Sequence, residues 1–187
     1  MQGSEKQEAK DKEIIAFQLG RRPLFPLMRV AKRCKKGFPQ VIINFPTKDG
    51  KIWLPTIFWL TCPYLHYVLS KIENTGLIKV LENKILKSPF LRKKLLKDQK
   101  RCTEIKDIYF SFLKIYDPYG EKFFKRGVGG VFNPLKIKCL HLHYAFFLGS
   151  GRGVIGEIVD KILRKQEIDS RFCNKDYIKY CGRRFKD

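Results

Sequence analysis

The sequence predicts an α+β fold, an N-terminal antiparallel strand meander packed against a set of helices that includes one long helix. Three observations carry that expectation. Runs rich in Val, Ile, Phe and Trp fill the first third, at 27–34, 40–45 and 52–60. The breaks between them, Lys36-Gly37 and Lys48-Asp49-Gly50, are turn-forming. From Pro63 onward the apolar period lengthens from strand-like to helical.

Taken in order, residues 5–19 read as a short amphipathic helix with Ile14, Ile15, Phe17 and Leu19 at its apolar end, stopped by Gly20. Pro23 and Pro26 force extended chain ahead of the strands. Thr61 or Cys62 then caps a helix with Pro63 in its first turn. Leu65, Val68, Leu69 and Ile72 make its buried face, and Gly76 ends it. A short helix covers 77–86. Ser88-Pro89 opens the long one, with Leu91, Leu95, Cys102, Ile105, Tyr109, Phe112 and Tyr116 on one stripe as far as Asp117-Pro118. Residues 119–134 read as a glycine-rich connection, 135–148 as a buried helix and 154–165 as an amphipathic one. The expected division is a polar N-terminal extension over 1–15, a single α+β domain over 16–165 and a polar, basic tail over 166–187.

Composition narrows the class. Of 187 residues, 44% are apolar and 13% aromatic, which suits a packed core and excludes a disordered polyelectrolyte. No apolar run approaches the roughly 18 residues of a membrane-spanning helix, so no integral membrane protein is expected. The opening MQGSEKQEAKDKE is polar and mixed in charge, unlike a secretory signal. Six scattered cysteines, 34, 62, 102, 139, 173 and 181, read as reduced thiols rather than a disulfide scaffold. A cytoplasmic protein of bacterial type is the expectation.

The charge is large and uneven. Lys and Arg number 39 against 18 acids, a formal +21. No acid lies between Glu13 and Asp49, where Arg21, Arg22, Arg29, Lys32, Arg33, Lys35, Lys36 and Lys48 cluster. None lies between Glu121 and Glu157, a stretch holding Lys122, Lys125, Arg126, Lys136, Lys138 and Arg152. Such surfaces attract phosphate-rich partners, and a Lys-rich solvated face is the plain alternative. Aromatics interleaved with base, Phe123, Phe124, Lys125 and Arg126, then Tyr177, Tyr180, Arg183 and Arg184, offer stacking platforms for single-stranded bases or an ordinary core edge.

Chemistry can be placed at a few positions. Cys62 at a helix start and His66 four residues on share a face; Cys139 and His143 repeat that spacing, with His141 between. Two Cys-x3-His pairs supply a soft, zinc-like ligand set. The same residues permit a nucleophile pair, Cys62 as the thiolate with His141 or His143 as base, although no orienting carboxylate lies nearby in sequence. Buried hydrophobic thiols and an ordinary core histidine are the structural alternative. Two glycine-rich turns, Arg126-Gly127-Val128-Gly129-Gly130 and 149–153, each lead into a helix. With Lys136, Lys138 and Arg152 they form a candidate anion cradle, without the spacing of a nucleotide fingerprint.

Several segments together, LGR at 19–21, RVAKRCKKGFPQVI at 29–42, PTIFWLTCP at 55–63, KCLHLH at 138–143 and GSGRGVIG at 149–156, resemble a bacterial family tabulated as domain of unknown function 501, of actinobacterial and Thermotogales type. The resemblance covers about residues 16–165. Its motifs map onto Arg33, Cys34, Gly37 and Pro39, onto Leu60, Thr61, Cys62 and Pro63, and onto Lys138, Cys139, Leu140 and His141. It implies that Cys34, Cys62, Cys139 and His141 are a better ligand set than one using His66, with His143 as the alternative fourth. It also implies that Cys alternates with His at the position of Cys62, as a metal ligand tolerates. The family carries no assigned activity, and its genomic neighbourhood implies a link to cell division and polyphosphate. The expected function is polyanion binding, most naturally to nucleic acid, around a structural Cys/His cluster that holds zinc. The alternatives are an enzyme acting on a phosphorylated or polyphosphate-like substrate, with Cys62, Cys139 and His141 as candidate catalytic residues, and an interaction protein of the division apparatus. A broad basic face would favour the first reading and convergence on one pocket the second.

Overall fold

A computed structural model of the chain describes residues 2–20, 27–45, 47–48, 51–54, 56–113 and 117–181. Arg21, Arg22, Pro23, Pro26, Tyr116, Arg183 and Arg184 lie outside them. The protein is α+β. Helix α1 (Gln2–Gln18) precedes strands β1 (Leu27–Arg33), β2 (Pro39–Asn44), β3 (Thr47–Lys48), β4 (Lys51–Ile52) and β5 (Phe58–Leu60). Helices α2 (Pro63–Asn74), α3 (Leu77–Lys87), α4 (Pro89–Leu113), α5 (Pro118–Phe124), α6 (Leu140–Ser150) and α7 (Val154–Lys165) follow, with short 3₁₀ turns at Val128–Gly130 and Lys175–Tyr180.

The meander forms as its turns dictate. Strands β1, β2 and β5 pair antiparallel in that order, with Val41 opposite Leu60 and Ile43 opposite Phe58. The turn between β1 and β2 closes on Gly37, whose φ of 82° and N–H bond to the Cys34 carbonyl suit glycine. The third expected strand, 52–60, is instead two pieces. Residues 51–52 pair with β3 in a small hairpin, and only 58–60 join the main sheet. Pro55 in this run has no N–H to give a continuous ladder.

Strand β2 is buried along its whole length. Val41 and Ile43 face the main core, while Ile42 on the opposite face is covered where α1 crosses β2. Ile14 and Ile15 are buried there, and Asp11 pairs with Arg33 of β1 at 2.5 Å. Helix α6 lies on the core face, with the Phe146 ring edge-on to Phe58 at 5.7 Å. Gly149 lets α6 approach this closely, since a Cβ there would meet Phe58 at 2.5 Å. Gly156 does the same for α7 on α6, where a Cβ would stand 2.1 Å from that of Phe147.

Two helix boundaries depart from expectation. Part of the 119–134 connection is helix α5, opened by Asp117, whose carboxylate accepts the N–H groups of Gly120 at 2.9 Å and of Ile52 at 3.0 Å. The helix expected from 135 begins at Leu140. Residues ahead of it are held extended by long-range acceptors: Glu82 takes the Ile137 N–H at 3.0 Å, and Glu73 takes that of Leu140. Residues 166–181 fold back on the far end of the sheet. Lys35 N–H bonds the Arg171 carbonyl at 2.9 Å, and the Gln40 amide bonds that of Ser170 at 2.6 Å.

Candidate functional site

The sequence places Cys139 at the N-cap of α6 and His141 in its first turn. Opposite stands α2, which carries His66, Ser70 and Glu73 at i, i+4 and i+7, a polar stripe beside the buried Leu65, Leu69 and Ile72. The two helices close on one another through these residues. His141 Nδ1 lies 3.0 Å from Glu73 Oε1. Its Nε2 lies 3.2 Å from Ser70 Oγ and 3.1 Å from the His66 carbonyl. The His66 and His141 rings sit 4.3 Å apart. Ligand atoms of Glu73, Cys139 and His141 all fall within 4.8 Å of one another.

This cluster opens onto a cleft of about 380 Å³, walled by Leu54, Trp59, Leu60 and Leu142, with Lys138 at its side. Burial holds His66 below the usual imidazole value, reinforced by the charge of His141. Burial pushes the Cys139 thiol up, opposite to what a resting thiolate nucleophile requires. A metal ion would deprotonate it outright. A carboxylate, an imidazole and a thiol around an open position make the donor set of a catalytic zinc-type site.

The four residues Cys34, Cys62, Cys139 and His141 therefore divide between two places. Cys139 and His141 belong to the cleft. Interaction with Cys181 lowers the pKa of Cys62, the N-cap of α2, to about 7 and raises that of Cys181. Cys34 lies within electrostatic reach of Cys173. His143 is buried inside α6 with Nε2 unbonded, and desolvation lowers its pKa to about 4. Cys102 is a core thiol.

The glycine turns direct their polar groups inward. Val128 N–H donates to Gln99 Oε1 at 2.6 Å, and Gly129 and Gly130 take φ of 75° and 69°. Lys106 Nζ, buried, donates to the carbonyls of Phe124, Arg126 and Gly127 at 3.0, 2.5 and 3.1 Å. Val154 N–H, at the start of α7, donates to Asp98 Oδ2 at 2.6 Å, a carboxylate where a phosphate would sit. Lys136 pairs with Glu82 at 2.8 Å, and the Arg126 guanidinium lies over the Phe132 ring. Arg152 joins Lys94, Lys97 and Arg101 around a second cleft of about 280 Å³, which also holds Asp98 and Glu157. Of the proposed stacking aromatics, Phe124 is fully buried and Tyr177 rests against Tyr64 and Tyr67.

Glu73 and Ser70 were not legible as site residues because they lie about seventy positions from His141. The signal that finds them is the polar stripe on α2, starting at His66.

Fold and site together define a basic α+β protein whose Cys, His and Glu side chains converge in an open cleft between two helices. The chain belongs to the family described as Protein of unknown function (DUF501), which matches residues 30–161. That span contains the whole cleft cluster with Cys34 and Cys62, and it ends before Cys173 and Cys181. No curated protein and no solved structure matches the sequence. No helix among the described residues is long and apolar enough to cross a membrane.

Proposed function

We propose that the protein is a metal-dependent enzyme of hydrolytic type, in which Glu73, Cys139 and His141 hold a zinc-like ion at the floor of the 380 Å³ cleft. The observation that carries this reading is the convergence of three different donor types within 4.8 Å at a concave, apolar-walled opening. An ion held by three protein ligands keeps a position for water, and His66, ring to ring with His141, is placed to accept that water's proton. Lys138 and the apolar wall fit a small anionic substrate with an apolar part. Ser70 and the His66 carbonyl fix the orientation of the His141 ring.

Titration of zinc into metal-free protein tests this, followed by assay against phosphate and carboxylate esters. Glu73→Gln and His141→Ala are each expected to weaken zinc binding at the cleft by at least about 100-fold and to abolish any zinc-dependent hydrolysis. Parent-like affinity in both variants would overturn the reading.

A specific observation also favours polyanion binding as a second activity. Lys94, Lys97 and Arg101 from one face of α4 meet Arg152 at the turn before α7. Four such contacts give an affinity for an oligonucleotide that falls with salt at a log–log slope of roughly −3. Removing Arg101 and Arg152 together is expected to shallow that slope by about 2. An unchanged slope, or no binding at low salt, counts against this surface.

A further inference from the structure

Beyond the cleft, the geometry points to a second, closed metal site, in which Cys34, Cys62, Cys173 and Cys181 bind one zinc-type ion as four thiolates and pin the C-terminal segment to the end of the sheet.

The argument begins with one distance. Cys173 Sγ and Cys181 Sγ stand 3.7 Å apart. A disulfide needs about 2.05 Å. Two thiolates sharing one tetrahedral zinc, each at about 2.3 Å, stand about 3.8 Å apart. The pair is thus spaced as two ligands of a single ion, whereas a multi-iron cluster holds its thiolates on separate metals. Cys62 is the next neighbour, close enough for its charge to act on Cys173. Cys34 completes the set within electrostatic reach of Cys173. No three of these four sulfurs lie within 4.8 Å of one another, so ion binding closes the gap between the Cys173–Cys181 pair and Cys34 and Cys62.

The surroundings suit a thiolate cluster. Cys34, Cys62 and Cys181 are 7%, 5% and 1% exposed, so water has little access. Cys62 heads α2, whose N-terminal end favours a thiolate, and the charge of Lys36 acts on Cys173. Each ligand comes from a place the chain holds firmly. Cys34 opens the tight turn closed by Gly37, and Cys62 is fixed at the head of α2. The segment bearing Cys173 and Cys181 is docked by the Lys35–Arg171 and Gln40–Ser170 hydrogen bonds. Tyr177 packs against Tyr64 at 5.1 Å.

The full chain, purified without chelator and exchanged against cobalt(II), tests the site. The parent is expected to retain about one ion per chain after a mild chelator has stripped the open cleft. Its cobalt form should show the intense thiolate charge-transfer and tetrahedral bands of a four-sulfur site. Cys139→Ser and His141→Ala should keep that ion and spectrum. Cys181→Ser and Cys173→Ser should lose the ion, with charge-transfer intensity reduced by a quarter or more in any fraction that still binds. The parent spectrum needs no variant, so misfolding of a serine variant leaves the test intact. The proposal is overturned by any one of three results: no chelator-resistant ion in the parent, an ion lost from Cys139→Ser but kept in Cys181→Ser, or a Cys173–Cys181 disulfide in protein purified under reducing conditions.

Discussion

Replacing Lys106 by methionine is expected to destabilise the protein by about 3–5 kcal/mol, measured as a fall in the denaturation midpoint at unchanged m-value. The residue is 1% exposed, and its ammonium is the shared donor for three carbonyls, those of Phe124, Arg126 and Gly127. Methionine fills the volume but leaves those three acceptors facing a thioether that cannot donate. Burial lowers the Lys106 pKa, so the three carbonyls are what make a lysine tolerable there. The damage would reach the cleft. The 124–127 segment leads into the turn at Val128–Gly130, and Gly129 packs against Lys138 and Leu142, the neighbours of Cys139 and His141. A parent-like midpoint would mean the carbonyls find other donors.

The second large effect is a loss of stability in acid, traced to His143. Its folded-state pKa is lowered to about 4 by burial alone, against about 6.5 in an unfolded chain. The folded protein keeps the ring neutral while the unfolded chain takes up a proton. Stability is therefore full above about pH 6.5 and falls as the pH drops, levelling off below the folded value near 4. The difference in pKa corresponds to about 3 kcal/mol. Carboxylates titrate in part of this range, so the measurement is a comparison. The parent and His143→Leu are unfolded in denaturant at pH 7 and at pH 4.5. The parent should lose more stability than the variant between the two, because leucine fits the apolar site without a proton to bind. Equal losses would remove His143 as the cause.

Much of the fold was readable because it rests on local rules. The turn at Gly37, the proline at the head of α2 and the apolar stripe of α4 each specify their element from neighbouring residues. The failures share one physical origin, interactions between residues far apart in sequence. Nothing near Ile137–Cys139 forbids a helix; Glu82 and Glu73, more than fifty residues earlier, take the amides of Ile137 and Leu140 and keep the segment between them out of the helix. Seven residues of α5 were hidden by Gly120, which the Asp117 carboxylate recruits as a capping amide. In the site, Cys139 and His141 stood out because Cys and His are scarce and close together. Glu73 did not, being one acid among many charges. Cys173 and Cys181 sit in a polar, basic stretch whose composition gives no sign that it returns to the sheet.

Helix α2 touches Cys62 at its first residue and Glu73 near its last. Eleven residues of rise set these about 16 Å apart. A rod of that length multiplies angle into distance. Pivoting about Cys62 by about 5° would carry the Glu73 carboxylate roughly 1.4 Å sideways at the far end. The contact it makes with His141 is 3.0 Å and has no slack for such a displacement. Precision in the cleft is thus inherited from the opposite end of the lever, where the first turn of α2 is clamped between the sheet and the returning C-terminal segment.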